Sequence, residues 1–325
     1  MQILINAGEI SSLFQGLMVP LCTYIILAIS LNLVVGILGE LSLGHAGFMC
    51  VGAFTSSFFS KATQDTITNG TLRFFIALLI GIAVAAIFGI IIGIPVLRLN
   101  GDYLAIVTLA FGEIIKNLVN VLFIGKDSKG FHFSTKDAVS LNLEPDGKII
   151  VNGPQGITGT PNDSTFFIGF ILILITLFIV LNLIHSRDGR AIMAIRDNRI
   201  AAESIGINIT KYKLMTFTIS AAMAGAAGVL YAHNLSNLTA NTNNFGYNMS
   251  INILVFVVLG GIGNIRGSVI AAVVLTLLPE LLRGMSDYRM LIYAIVLIVM
   301  MLFNWAPKAI EWREKYSIKR MFGKK

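Results

Sequence analysis

Long apolar stretches separated by short charged segments constrain this chain more than any other feature of its sequence. Apolar residues make up 55% of its 325 residues, and only 13% are charged. A water-soluble protein of this length could not cover its surface with so few charges. The sequence therefore predicts an all-α fold, a polytopic integral membrane helical bundle whose outer surface mostly contacts lipid.

The apolar stretches divide the chain into about nine candidate spans (about 8–10), taking ~20 residues for each membrane-crossing helix. The seventh and eighth are short, which indicates tilted or broken helices. The second is interrupted early by Gly44, His45 and Gly47. The third and sixth carry a small residue at every fourth position, which predicts close helix packing. The spans are Leu13–Leu38, Leu41–Phe59, Leu72–Leu97, Tyr103–Ile124, Phe166–His185, Leu214–His233, Ile251–Ile265, Val269–Leu282 and Met290–Ala306.

Basic residues between the spans predict how the chain is oriented. The segments 186–213 and 307–325 are rich in Lys and Arg, and such segments stay in the cytoplasm. Counting spans backwards from them places the N-terminus outside, the C-terminus inside, and 125–165 in an external loop that reads as turns. The chain is then a single transmembrane domain, 1–325, with a cytoplasmic loop at 186–213 and a basic tail at 307–325. Because the basic residues flank spans, they indicate lipid contact rather than nucleic-acid binding.

The cytoplasmic loop 186–213 has the pattern of one short amphipathic helix. Ser186 is a typical N-cap and Gly206 a typical C-terminal stop. The small residues Ala201 and Ala202 suit a helix that fits a groove of another protein. A helix lying on anionic lipid is the alternative. The apolar positions recur at spacings of four and three with one gap at Asn198, and they are Ala191, Ile195, Ala202 and Ile205.

Polar residues inside the apolar stretches are the candidates for function. Glu113 and Lys116 are three residues apart in the fourth span, so they share a helix face and can neutralise each other. They form either an internal structural pair or a polar lining of a pathway. Gly44 and His45 lie in the interrupted second span and are candidates for the same pathway.

No enzymatic or metal-binding pattern stands out in the sequence. Its histidines are scattered, and two cysteines without a neighbouring His/Cys cluster give neither a zinc site nor a disulfide framework. No Gly-x4-Gly-Lys-Ser/Thr motif is present, so ATP, if it is used, would be bound by another chain. A faint internal repeat relates 34–41 to 257–265 through an insertion or deletion.

An ordered set of motifs runs through most of the chain. They comprise residues 31–36, 41–48, 98–109, 111–114, 153–157, 189–191, 194–197, 200–203, 258–263 and 288–293. Any one of the motifs is weak, but together, in order from about residue 30 to residue 303, they resemble the LivM-type permease subunits of branched-chain amino-acid ABC importers.

The resemblance implies an ATP-driven importer subunit that works by alternating access and is not itself an enzyme. It implies four kinds of partner: a second permease subunit, two ATPase subunits that bind ATP and magnesium, an external solute-binding protein, and the lipid of a bacterial inner membrane. The chain would bind no cofactor. Urea, short amides or other amino acids are alternative substrates, and an ion-driven secondary transporter that uses Glu113 or His45 is the alternative class.

The resemblance also implies which residues couple the chain to its ATPases. Bacterial importers carry the pattern Glu-Ala-Ala-x3-Gly in this loop, and here Ile200 replaces the leading Glu. The coupling residues expected from the match are Arg196, Asp197, Ala201, Ala202, Glu203 and Gly206.

Overall fold

The computed structural model describes residues 12–96, 102–145 and 147–282, together with seven positions between 291 and 302. The predicted basic tail 307–325 and most of the predicted ninth span, Met290–Ala306, lie outside the described residues. The predictions made for those segments therefore stay predictions.

Helices dominate the described residues, as predicted. Five of them are long and apolar enough to cross a membrane: Gly16–Leu38, Gly70–Val96, Tyr103–Val121, Phe166–His185 and Ile209–Ala232. The helices are α1 (Ser12–Asn32, continued by a π-helix, Leu33–Leu38), α2 (His45–Ala62), α3 (Gly70–Val96), α4 (Asp102–Val121), α5 (Phe166–His185), α6 (Arg187–Asp197), α7 (Arg199–Ser204), α8 (Ile209–Ala232), α9 (Thr242–Phe245), α10 (Tyr247–Gly260) and α11 (Ile265–Leu281).

Close packing of α2, α3 and α8 forms the centre of the bundle, and the small residues predicted for the third and sixth spans provide it. A Cβ atom added to Gly89 of α3 would lie 2.8 Å from the Cβ of Ala221 of α8. One added to Gly52 of α2 would lie 2.6 Å from the Cα of Gly225. Only very small side chains permit these backbone approaches, which confirms the packing prediction.

The segment between α4 and α5 contains a small β-structure besides the predicted turns, and these strands were not predicted. Its strands are β1 (Phe123–Asp127), β2 (Gly130–Ser134) and β3 (Lys148–Asn152), in the antiparallel order β2-β1-β3. Two further strands, β4 (Ile157–Thr158) and β5 (Asn237–Leu238), pair with each other. Because β3 and β5 pair with strands far away in the sequence, local composition could not reveal the sheets.

The described helices connect two opposite ends of the bundle. The strands β1–β3 lie at one, which we call the sheet end, and α6 and α7 lie at the other, the short-helix end. Helix α5 leads from one to the other, and its 20 residues span ~30 Å. Lys61 at the end of α2 donates to Thr158 O at the sheet end, whereas Arg196 of α6 donates to Gly36 O at the short-helix end.

Several spans differ in their bounds from the predictions, including the sixth, which was predicted as Leu214–His233 but whose helix α8 begins at Ile209. The second begins as a helix only at His45, because 39–44 is not helical. The seventh and eighth were predicted as Ile251–Ile265 and Val269–Leu282, but the helices are α10, with 14 residues, and α11, with 17. Helix α10 rises only ~21 Å, which is less than the ~30 Å of a bilayer core, so the predicted shortness is confirmed.

Candidate functional site

Two interrupted helices meet at the short-helix end and form what we call the glycine junction (Asn32–Gly39 with Gly260–Ser268). The first interruption is the π-helix after α1, which ends at Gly39 with a φ of 82°. The second is the α10–α11 connection, where Gly261 and Gly263 have φ values of 93° and 81°. Both segments of the predicted internal repeat are thus helix interruptions, and they contact each other.

Side-chain and backbone contacts fix the glycine junction. The Asn32 amide donates to Ser268 Oγ at 2.8 Å, and its oxygen accepts from the N–H of Gly263 at 2.9 Å. A Cβ atom added to Gly36 would lie 2.6 Å from the Cα of Gly263. Any larger residue at position 36 would separate the two interruptions. Sequence analysis missed Asn32 as a site residue, because its partners lie more than 200 positions away.

The cytoplasmic-loop segment folds as two short helices, so the prediction of one amphipathic helix was wrong. Ser186 caps α6 by accepting from the N–H of Gly189, as predicted. The break comes at Asn198, whose backbone is extended and whose side chain accepts from the N–H of Ala201. Asn198 therefore acts as the N-cap of α7, which explains the gap in the apolar spacing.

Helix α7 ends in a Schellman motif. Gly206 has a φ of 86° and donates to Glu203 O, while Ile207 donates to Ala202 O. The predicted stop at Gly206 is confirmed. Ile205 precedes it as the C-cap and is 75% exposed.

The expected coupling residues divide into buried and exposed groups. Ala202 is only 2% exposed and packs with Ile195 and Ile209 in a small core of its own. The Ala202 side chain therefore packs within the chain, and its expected role in coupling stays a prediction. Ile200 is 81% exposed, and the other exposed positions are Arg196, Asp197, Ala201, Glu203 and Gly206.

Arg196 connects the short helices to the glycine junction. Its guanidinium donates to Gly36 O at 3.1 Å and to the carboxylate of Asp197 at 2.9 Å. A Cβ atom added to Gly39 would lie 2.6 Å from the Arg196 Cγ, so the arginine stem packs on that glycine. A second connection is the ion pair of Lys213 with Glu40, which is almost fully buried. The only sequence signal for this ion pair is a charged residue, Glu40, beside the helix-breaking Gly39.

Glu113 and Lys116 form the predicted pair, in which Lys116 is buried and Glu113 is partly exposed. The ammonium of Lys116 is 2.5 Å from the Glu113 carboxylate and 3.2 Å from Thr242 Oγ1. The other Glu113 oxygen accepts from the N–H of Tyr247 at 2.9 Å. Because Tyr247 is the first residue of α10, Glu113 supplies an acceptor and a negative charge to a helix N-terminus.

His45 and Gly44 begin α2 against the same part of the bundle. The ring of His45 is 2.7 Å from Ser30 Oγ of α1 and is 2% exposed. The N–H of Ala46 donates to Ser250 Oγ, one turn into α10. The backbone of Gly44 touches Thr108, on the same helix as Glu113.

Glu113 caps the start of α10, and Lys116 contacts Thr242, the first residue of the adjoining α9. Gly44 and His45 lie at the start of α2, which contacts α10 through Ala46 and Ser250. The lining of a pathway by the four predicted residues stays a prediction. Within the described part of the chain, no group of three or more His, Cys, Asp or Glu side chains could hold a metal ion.

Comparison with known proteins assigns a family to this arrangement. A family described as the permease component of branched-chain amino acid transport systems matches residues 13–303. The LivM permease of Salmonella typhimurium LT2 is 36% identical over 88% of this chain and 67% of its own length. The LivH permease of the same strain is 26% identical over 86% of this chain and 89% of its own length. The fructose import permease FruG of Bifidobacterium longum is 24% identical over 96% of this chain and 86% of its own length. No solved structure matches significantly.

Proposed function

Because the chain belongs to the family of branched-chain amino acid transport permeases, we propose that leucine, isoleucine and valine are its cargo in an ATP-driven importer. The chain is a multi-pass membrane permease subunit, not an enzyme. The 36% identity to a LivM permease over most of the chain carries the choice of cargo. Family membership alone would not, since a relative at 24% identity is named as a fructose permease.

The partners that we propose are a second permease, two ATPase subunits that hold ATP and magnesium, and an external solute-binding protein. A LivM and a LivH permease occur in one Salmonella strain, which supports pairing with a second permease. We also propose that the protein lies in a bacterial inner membrane with 186–213 and the C-terminus in the cytoplasm. Its sheet end then faces outward.

The ATPase contact that we propose is the exposed surface of α7. Ile200 and Ile205 are 81% and 75% exposed at the end of the molecule that the charge distribution assigns to the cytoplasm. One of these side chains lies on α7 and the other at its C-cap, and Ala202 packs on the opposite side of the helix. Two exposed apolar side chains so placed suit an apolar pocket of a partner. Ala201, Glu203, Gly206 and Asp197 form the rest of this surface, while Ala202 supports it from inside.

Two contacts would transmit a movement of the short helices to the membrane-spanning helices, one in the glycine junction and one just after it. Arg196 holds α6 to Gly36, and Lys213 holds the start of α8 to Glu40. The π-helix that contains Gly36 touches Gly263, which precedes α11. A shift of α6 and α7 on ATP binding would therefore move both interrupted helices together.

The test is leucine uptake by proteoliposomes that contain the complete complex, with ATP inside and the binding protein outside. Ile200→Ser with Ile205→Ser should lower ATPase association and uptake by more than tenfold. Val139→Ser, which changes an 83% exposed residue at the sheet end, is the matched control. Arg196→Gln should keep the ATPases bound but weaken substrate-stimulated ATP hydrolysis.

Two results would contradict the proposal. Uptake by the purified chain without ATPases, abolished by collapse of an ion gradient, would support the secondary-transporter class. Binding of urea, amides or fructose but not of leucine by the cognate binding protein would reject branched-chain amino acids as the cargo.

A further inference from the structure

An apolar groove runs along α2 toward the sheet end. Its cavity measures about 260 Å³ and has Val51, Phe54 and Phe58 of α2 on one side and Leu118 and Leu122 on the other. From Val51 to Phe58 the helix rises ~10 Å. The lining is almost wholly hydrocarbon, and Leu118 is 57% exposed, so the groove opens sideways from the bundle.

A cavity containing three lysines adjoins the end of this groove. It measures about 210 Å³, and Lys61, Lys126 and Lys148 line it together with two aspartates. Lys61 follows Phe58 by one helical turn. The ring of Phe131 connects the two cavities, because its centroid is 5.7 Å from that of Phe58 and 5.8 Å from the Lys126 ammonium.

The lysines in this cavity are held in place and are only partly neutralised. The Lys61 ammonium donates to two backbone carbonyls, Thr158 O at 2.7 Å and Ile149 O at 3.3 Å. The Lys126 ammonium donates to Ala62 O at 3.0 Å. An ammonium group carries three donors, so both retain unused ones, and carbonyl partners leave their positive charge uncompensated.

Both aspartates that line the cavity already have a partner. Asp65 pairs with Lys148 at 3.1 Å, and the carboxylate of Asp127 is 2.9 Å from the His132 ring. Burial alone would raise the pKa of Asp127. Hydrogen bonds from the N–H groups of Lys129 and Gly130, and the His132 ring, outweigh burial and hold that pKa below its usual range. Across the cavity, three lysines against two aspartates leave a net positive charge.

We propose that the groove and the lysine cavity together bind one anionic phospholipid. The acyl chain would lie along α2 between Val51 and Phe58, and the phosphate would accept hydrogen bonds from Lys61 and Lys126. Charge complementarity selects this occupant, because a groove for neutral lipid or for an apolar partner helix does not require lysines at its end. Lysines at the proposed outer end also run against the positive-inside preference, and a headgroup that they bind accounts for them.

The experiment measures lipid retained by the purified complex, in nanodiscs of phosphatidylcholine with and without phosphatidylglycerol, by native mass spectrometry. Wild type should retain phosphatidylglycerol over phosphatidylcholine by at least tenfold. Lys61→Gln with Lys126→Gln should lower this preference by fivefold or more. Lys129→Gln, on the same loop but paired with Glu144 outside the cavity, should leave it unchanged.

A second variant tests the groove without touching the lysines. Thr55→Phe fills the groove and should release phosphatidylglycerol from a complex whose thermal stability is unchanged. Four results would overturn the proposal: equal retention of both lipids by wild type, an equal loss in Lys129→Gln, equal competition by glycerol phosphate without acyl chains, or crosslinks from position 55 to the second permease. The third would indicate a free-phosphate site, and the fourth a protein interface.

Discussion

Removing the charge of Glu113 should destabilise the protein more than removing that of Lys116. The side chain of Lys116 is 10% exposed and that of Glu113 is 25% exposed. Glu113→Gln removes the opposite charge from the more deeply buried ammonium, which then has only uncharged acceptors such as Thr242 Oγ1. Lys116→Met leaves the carboxylate with the N–H of Tyr247 and the positive end of α10.

The size of each effect follows from these contacts. Breaking a buried ion pair by removing one partner costs ~3–5 kcal/mol. Partial exposure of Glu113 reduces this, so we expect about 2–3 kcal/mol for Glu113→Gln. The N-terminus of α10 stabilises the isolated carboxylate by about 1 kcal/mol, so Lys116→Met should cost about 1–2 kcal/mol. The double variant leaves no buried charge and should be more stable than Glu113→Gln alone.

Thermal unfolding of the purified protein in nanodiscs measures these differences. At roughly 2–4 °C per kcal/mol, Glu113→Gln should lower the melting temperature by about 4–12 °C. Ile114→Leu, on the exposed face of α4, is the control and should leave it unchanged. A larger loss for Lys116→Met, or additive effects in the double variant, would refute the reasoning. Unchanged stability with lost uptake would instead support the pathway role.

Three further predictions test the packing, the orientation and the short helices. Gly225→Ala should cost about 1–3 kcal/mol, because the new Cβ would crowd α3, whereas Gly16→Ala, with open space around it, should cost nothing in the same unfolding assay. An impermeant thiol reagent applied to intact cells should label a cysteine at Lys148 and not one at Ile200, and the reverse result would invert the orientation. Gly206→Ala should cost about 1–2 kcal/mol because of its positive φ, and it should increase proteolysis of the α7 region without lowering membrane insertion.

Periodic features of the fold were predictable from the sequence, whereas pairings between distant segments were not. Small residues every fourth position in the third and sixth spans predicted that another helix packs closely on each, because helix periodicity puts them on one face. The structure shows that α3 and α8 pack on each other. The sheet could not be predicted in the same way. Its central strand β1 pairs with β3, and the 20 residues between Asp127 and Lys148 contain no signal for that register.

The candidate site likewise combines local contacts that the sequence predicted with long-range contacts that it did not. Glu113 and Lys116 are close in the sequence, so their pairing could be predicted. The helix start that Glu113 caps lies 134 positions away and could not. Arg196 was selected because of its motif. Its hydrogen bond to Gly36 spans 160 positions, and no sequence pattern predicts that bond. The burial of Ala202 against Ile195 and Ile209 could not be predicted from one continuous helix. Because α6 ends before Asn198, the residues after it face other directions than one continuous helix would give them.

The interrupted helices suggest why these long-range contacts exist. An uninterrupted helix satisfies its own backbone groups in a membrane, whereas each interruption exposes N–H groups that need other partners. Here side chains from other helices accept them: Asn32 accepts from Gly263, Thr108 from Leu43, and Ser250 from Ala46. Every interruption is therefore also a connection between helices. The Asn32 contact lies just beyond the end of α10, and the Ser250 contact lies one turn from the helix start that Glu113 caps, so α10 itself connects the two contacts.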